Sequence, residues 1–321
     1  MIHQGYAFTI PSSSLTSTCN NNLSRSQSIL KATTAKEGSI EVPRQDGSTY
    51  KLAYRIVRPM NLSSMQAAPI VALHGGPSVP SNYLYPLADI VPYRSIVYYD
   101  QLGCGKSDQP TDITQYSTKD SVNDLKILLK KLGVRRFHLY GQSYGGILAY
   151  EYMKSIATES KDDDNDEVKC LSAILSGAPT NVPQIEKDFV KLVEDLTNGK
   201  DDVSEEEVNE LFRVTHQCRL EEMPKILAEA YENAGTVWRG TEAISDYIAK
   251  PPPEDASRMP STLVMRGEYD FVSDEQIQSW KDILNTPFVR YKTLEGCSHH
   301  AMLEKEEMYG EIVDSYFGEY D

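Results

Sequence analysis

The sequence predicts an α/β protein: a mostly parallel sheet covered by helices on both faces, with a helical segment inserted before the last strands. Three observations carry that prediction. Apolar runs of strand length alternate with stretches of helical periodicity along most of the chain. Parallel strands buried on both faces read as near-continuous apolar runs, and IVALHGG (70–76), SIVYYDQ (95–101) and CLSAILSGA (170–178) have that character. From about Pro179 to Pro260 the strand signal stops, and helical patterns with acidic clusters replace it.

The elements follow in order. GSIEVPRQDGSTYKLAYRIV, beginning at Gly38, reads as two strands joined at an Asp46-Gly47 turn. The two buried strands at 70–76 and 95–101 come next. Residues 118–132 place Val122, Leu125, Leu128, Leu129 and Leu132 at helical spacing, and Gly133 supplies the stop. FHLYGQS (137–143) is a strand that runs straight into the helix SYGGILAYEYMKSI. STLVMRGEYD (261–270) and FVRYKTLEG (288–296) are the last two strands, and the helix between them opens on a Ser273–Gln276 capping box. A final helix covers about Leu303 to Phe317. The organisation expected is a disordered tail over residues 1–37, a core formed by 38–179 and 261–321, and a helical cap over 180–260. The acidic run KDDDNDEVK (161–169) reads as a solvated surface loop and not a metal site.

Composition narrows the function classes. The 321 residues suffice for one large α/β domain with an insertion, and 40% apolar with 25% charged residues is ordinary for a globular protein. A net charge of −15 argues against nucleic acid or an anionic membrane surface as the partner, because both repel a negative surface. The 5 cysteines are widely spaced and contain no CxxC, so neither a disulfide framework nor a zinc site is suggested, and a reducing, cytoplasmic setting fits. No apolar run approaches the ~18 residues of a membrane span. Residues 1–36 contain no Asp or Glu and are rich in Ser, Thr and Asn. Organelle transit peptides share that composition, but with only Arg25, Lys31 and Lys36 basic the segment reads as a tail.

Chemistry gathers around Gly141-Gln142-Ser143-Tyr144-Gly145, a Gly-x-Ser-x-Gly sequence with a strand immediately before it and a helix immediately after. A sharp strand-to-helix turn needs small flanking residues, which Gly141, Gly145 and Gly146 provide. The turn would lift the Ser143 hydroxyl to the carboxyl edge of the sheet, at a helix N-terminus that favours developing negative charge. A serine hydroxyl needs a base to become a nucleophile. In strand–turn–helix sites of this kind the partners follow in the order Ser, acid, His. Asp270 ends a later strand at the expected place, with Glu268 two residues off it. His299 and His300 lie straight after the last strand, and one of them should be the base. Oxyanion donors would be the backbone N–H of Tyr144 and one from the loop His74-Gly75-Gly76-Pro77. Asp100-Gln101-Leu102-Gly103-Cys104-Gly105-Lys106-Ser107 fails as a phosphate loop, since the pattern needs Gly where Asp100 stands, and reads as a turn flooring the site. Cys104 shows no obvious base.

Together HGGP (74–77), DQLGCGKS (100–107), GQSYGG (141–146), GEYD (267–270) and CSHHAMLE (297–304) resemble the proline iminopeptidase family of α/β-hydrolases, from about Gly38 to the C-terminus. The family includes serine aminopeptidases and amidases. The resemblance implies an α/β-hydrolase fold with an eight-stranded, mostly parallel sheet and a helical cap, a triad of Ser143, Asp270 and His299, and an oxyanion hole from the backbone of Gly76 and Tyr144. His299 is implied over His300 because the family's base follows Cys-Ser directly. Two positions depart from the family pattern. Ser78 stands where a glycine usually follows HGGP. Phe271 stands where tricorn-type members carry a glutamate that helps hold the substrate's free amine; the cap counterpart of a second such glutamate is Glu242, in Trp238-Arg239-Gly240-Thr241-Glu242.

The expected function is acyl transfer to water on a small molecule or short peptide, with no metal or organic cofactor. An aminopeptidase or amidase is the first expectation. An esterase, lactonase or thioesterase acting on a more apolar substrate is the second, and a non-hydrolytic catalyst or binding protein on the same fold is the third. Trp238, Glu242 and Phe271 are the expected substrate-facing residues.

Overall fold

The computed structural model describes residues 34–59, 67–159, 168–199, 203–286 and 288–321. Most of the expected tail and of the acidic run lies outside the described residues. Eight strands form one sheet: β1 (Thr34–Pro43), β2 (Thr49–Arg58), β3 (Ile70–Leu73), β4 (Ile96–Tyr99), β5 (Arg136–Gln142), β6 (Lys169–Ser176), β7 (Ser261–Gly267) and β8 (Val289–Leu294). Their spatial order is β1-β2-β4-β3-β5-β6-β7-β8. The β1–β2 and β2–β4 pairs are antiparallel, and the rest of the sheet is parallel.

The continuous apolar runs resolve into two faces with a period of two. Val71, Leu73, Val97, Tyr99, Leu139, Ala173 and Leu175 pack on one side with α2 (Thr118–Leu132) and α3 (Tyr144–Thr158). Ile70, Ala72, Ile96, Tyr98, Tyr140, Ile174 and Met265 face the other way, toward the short α1 (Leu87–Ile90) and the C-terminal helix. In α2, Val122, Leu125, Leu128 and Leu129 are buried and Leu132 is half-buried. Each such side chain contributes about 1.5–3 kcal/mol. Ser117 caps the helix, accepting the Asp120 N–H, and Gly133 ends it at φ 67. Asp124, on the buried face, takes a two-pronged ion pair from Arg44 at 2.7 and 2.8 Å, which clamps the β1–β2 turn onto the helix.

Between β6 and β7 lie α4 (Val182–Thr197), α5 (Glu205–Phe212), a π-helical turn (Arg213–Gln217), α6 (Lys225–Glu232) and a 3-10 turn (Thr241–Ile244). Among the described residues of this insertion the only sheet-like pairing is the isolated bridge Asn181–Ile248. Helix α7 (Asp274–Gln278) and α8 (Trp280–Ile283) separate β7 from β8, and α9 (Ala301–Glu304) and α10 (Glu306–Gly318) close the chain. No helix among the described residues is long and apolar enough to cross a membrane.

Three expectations are corrected. Among the described residues, regular structure is present from Thr34 onward and not only from near Gly38, so residues 34–37, assigned to the tail, are strand. Thr34–Glu37 pair with Arg58–Arg55, and Glu37 bridges Arg55 and Lys106. The final helix is broken at Lys305, whose extended φ of −140 sends its ammonium to the Glu295 carbonyl. The capping box at Ser273 is half-formed. Ser273 Oγ accepts the Gln276 N–H, but the Gln276 side chain is drawn off to the Thr180 and Asn181 N–H groups at the start of the insertion.

Beneath the sheet, at the edge opposite the turn at Ser143, His138 is fully buried and stacks on Phe317. Its Nε2 meets Asp321 at 3.2 Å and its Nδ1 meets the Ser172 hydroxyl at 2.8 Å. Burial would raise the Asp321 carboxyl, but Arg94, the Ala68 N–H and His138 hold it well below the usual range. For His138 burial prevails over its carboxylate partner, and its pKa falls to about 4. An unfolded histidine titrates near 6.5. Between those values the unfolded chain binds the extra proton, so stability is lost as pH falls from about 6.5 toward 4. Urea unfolding across that range should show the loss, and His138→Gln should flatten it by on the order of 3 kcal/mol. Parallel curves for the two proteins would refute the assignment.

Candidate active site

The end of β5 passes into α3 through a single residue. Ser143 adopts φ 55 and ψ −123, outside the regions that L-residues favour. Such a turn exists only if the helix start can touch neighbouring backbone. A Cβ on Gly145 would lie 2.0 Å from the Leu73 carbonyl oxygen, so glycine is obligatory there. Ser143 is half-buried, and its hydroxyl makes no hydrogen bond within the described residues.

Two loops from the ends of β7 and β8 bring an acid and a base together. His299 Nδ1 lies 2.8 Å from Asp270 Oδ1, and both side chains are buried. A carboxylate only accepts, so Nδ1 carries the proton and Nε2 is left as the basic nitrogen. Oδ1 also accepts the Val272 N–H at 2.9 Å, while Oδ2 is buried without a partner. Arg266 donates to the Glu268 and Asp270 carbonyls and so fixes the acid loop. Glu268 faces elsewhere and accepts the Gly296 N–H.

His300 is placed differently. Its Nε2 meets the Tyr231 hydroxyl at 2.8 Å, and its ring packs edge-on to Tyr83 and His299. Burial, and then the neighbouring His299, push its pKa well down, so it is a neutral packing residue.

The loop after β3 lies against the serine. A Cβ on Gly75 would come 3.0 Å from Ser143 Cβ. The Gly75 N–H donates to the Tyr83 hydroxyl, which donates to Gln142 Oε1 at 2.6 Å. The Gly76 and Tyr144 N–H groups have no acceptor among the described residues. Pro77 follows Gly76 through a cis peptide, and Ser78 sits at φ 69. A glycine would hold that conformation without strain; here the Ser78 hydroxyl donates to the Trp238 carbonyl at 2.6 Å and its carbonyl accepts the Gly235 N–H.

The Asp100–Ser107 turn braces this floor. Asp100 accepts from the Ser81 and Lys106 N–H groups, and Gln101 N–H donates to His74 Nε2 at 2.9 Å. The structure gives Cys104 a histidine neighbour that was not expected, with Sγ 3.7 Å from His74 Nε2. That nitrogen is already occupied by Gln101. Burial pushes the Cys104 thiol well up and the His74 imidazole down, so the pair stays neutral and unreactive.

The expected substrate-facing residues separate. Phe271 packs on His299 with ring centroids 4.2 Å apart, and an aromatic row continues through Phe212 to Phe189 of the insertion. Trp238 is buried, edge-on to Tyr144 and stacked on Tyr116. Glu242 is exposed in the 3-10 turn, and its carboxylate makes no hydrogen bond or ion pair with these groups.

A family model of the alpha/beta hydrolase fold matches residues 68–306. The chain belongs to the α/β hydrolase family. Among curated relatives, the proline iminopeptidase of Saccharolobus solfataricus is 29% identical over 272 residues, covering 77% of this chain and 84% of that one. The proline iminopeptidase of Lactobacillus helveticus is 26% identical over 297 residues, covering 85% and 96%. The crystal structure of a Mycobacterium smegmatis proline iminopeptidase superposes with a TM-score of 0.72 at 21% identity, covering 88% of this chain and 98% of that one. That of VinJ gives 0.70 at 22% identity, covering 88% and 99%. These two likenesses are of fold. With the family and the curated relatives together, this α/β hydrolase is a hydrolytic enzyme.

Several residues that build the site carried no signal of their own. Tyr83, Gln142, Arg266 and Gly177 act through contacts between distant segments; only the position of Gln142 beside the serine hinted at a role. Gly177, after β6, sits at φ 56, and a Cβ there would meet Asp270 Oδ2 at 2.8 Å and His299 Nδ1 at 2.9 Å. Gly177→Ala should therefore part the acid from the base. Its expected signature is a kcat lower by about 10–100-fold and a loss of roughly 1–3 kcal/mol in urea unfolding. Wild-type turnover would show that the pair tolerates the added carbon.

Proposed function

We propose that this α/β hydrolase works as a serine hydrolase through an acyl-enzyme, with Ser143 as nucleophile, His299 as base and Asp270 as the acid that orients it. The observation that carries the reading is the buried 2.8 Å contact of His299 with Asp270, at the sheet edge where Ser143 projects from its strained turn. In the first step His299 Nε2 takes the Ser143 proton as Oγ attacks the substrate carbonyl carbon. The resulting oxyanion is held by the Gly76 and Tyr144 N–H groups, each such donor contributing about 3–4 kcal/mol in the transition state. Collapse breaks the bond to the leaving group, which departs with the proton from His299. Water then attacks the acyl-enzyme with His299 again as base, and the acid product leaves with Ser143 restored. Asp270 stabilises the imidazolium in both halves.

For the substrate, the reading is an amide or short peptide cleaved at its N-terminal residue, as the names of the curated relatives suggest. One observation favours a second reading. The residue after Asp270 is Phe271, its ring lies against His299, and Glu242 is exposed. A site so lined has little to hold an ammonium and suits an ester or lactone of a more apolar acid.

Ser143→Ala should lower kcat by about four orders of magnitude or more and abolish labelling by a fluorophosphonate; unchanged turnover would sink the mechanism. On a panel of aminoacyl anilides, their N-acetyl analogues, acyl esters and lactones, the free aminoacyl anilides should be cleaved with the highest kcat/KM. Preference for acyl esters, with no discrimination against N-acetylation, would decide for the second reading.

A further inference from the structure

The insertion meets the reaction centre at an irregular turn. After α5 the chain leaves the α-helical path, and Arg213–Gln217 form a π-helical turn, a geometry that recurs at functional sites. This turn bonds to both loops that carry the acid and the base. The His216 carbonyl accepts the His299 N–H at 3.2 Å, and the Gln217 carbonyl accepts the His300 N–H at 3.0 Å. His216 Nδ1 lies 2.8 Å from the carbonyl of Tyr269, the residue before Asp270. A carbonyl only accepts, so that nitrogen is the donor.

Neighbouring contacts brace the same junction. Gln217 donates through its side chain to the Tyr231 hydroxyl at 2.7 Å, and that hydroxyl donates to His300 Nε2. The Arg219 N–H donates to Glu304, whose other oxygen accepts the Ser298 N–H at 2.8 Å. The Arg219 guanidinium lies over the Tyr269 ring at 3.8 Å.

We infer that His216 is a positioning residue: it holds the acid loop through its imidazole and the base loop through its carbonyl, and so sets Asp270 and His299 in register. It bonds on one side to the main chain of the base itself and on the other to the carbonyl immediately before the acid. It touches no reacting atom, so its effect passes through the alignment of His299 with Ser143. Misalignment of a reacting group by an ångström can cost about 100-fold in rate. The inference rests on the reading of Ser143, His299 and Asp270 as the triad.

The test uses the full-length enzyme and three substitutions. His216→Ala removes the donor and keeps the carbonyl. His216→Phe also removes the donor but keeps a ring against Phe212, which the histidine faces at 5.4 Å. His216→Asn restores an N–H near the Nδ1 position. The readouts are kcat, KM and the second-order rate of fluorophosphonate labelling at Ser143, which depends on the triad and not on substrate contacts. The alanine and phenylalanine variants should lose about 10–100-fold in kcat and in labelling rate, with KM within about threefold of the wild type, and asparagine should recover most of the loss. Should the alanine variant fail to fold, the phenylalanine and asparagine pair decides. Wild-type labelling in His216→Phe, or equal losses in His216→Phe and His216→Asn, would overturn the positioning role and leave the triad standing. A wild-type enzyme that does not label at all would overturn the triad reading and this inference with it.

Discussion

The candidate site depends on one constraint, the passage from β5 to α3 through a single residue. Holding Ser143 at φ 55 and ψ −123 costs roughly 1–3 kcal/mol, and the surrounding packing has to over-determine it. It does so from both sides. Tyr144, Ile147 and Leu148 are buried in the core beneath, and Gly145 lets the helix start rest on the Leu73 carbonyl. Because β5 is central in the sheet, the loops after β3, β6, β7 and β8 all open beside the same serine. A less central strand would have left Asp270, His299 and the loop 74–77 on one side of it.

Burial then sorts the histidines. His74, His138 and His300 are enclosed and their pKa values are pushed down, so each is a neutral hydrogen-bonding or packing group. His138 does meet a carboxylate, but Asp321 is already engaged by Arg94. His299 faces Asp270, which makes no salt bridge to a lysine or arginine among the described residues. Identical side chains thus take different chemical parts according to what surrounds them, not according to their place in the sequence.

Much of this architecture was legible in the sequence because it follows from short-range periodicity. The helix at 118–132, the Gly133 stop and the strand–turn–helix around Ser143 are local patterns, and the contact of His299 with Asp270 joins two residues that the sequence placed just after late strands. What escaped was set by contacts between distant segments. Thr34–Glu37 are held by strand pairing and ion pairs on an exposed edge, where no apolar alternation marks a strand. Gln276 leaves its own helix for Thr180 because a buried pair of N–H groups competes more strongly than a solvated one. The Cys104–His74 contact joins residues 30 positions apart, and the bond of the His216 imidazole to the Tyr269 carbonyl joins residues 53 apart. Glu242 was singled out by likeness of local sequence, and its short helical turn leaves the carboxylate in solvent.

The contact of Ser78 with the Trp238 carbonyl bears on how such enzymes can be recombined. The loop after β3 and the insertion are joined there by side chain and main chain, Gly235 lies directly on Gly103, and Gly240 N–H reaches Pro77. The insertion is therefore not an exchangeable cassette. A chimera that imports another cap at the β6 and β7 junctions would break the bonds that let a serine occupy position 78. Crossover points that work would have to carry residues 75–79 together with the cap that supports them.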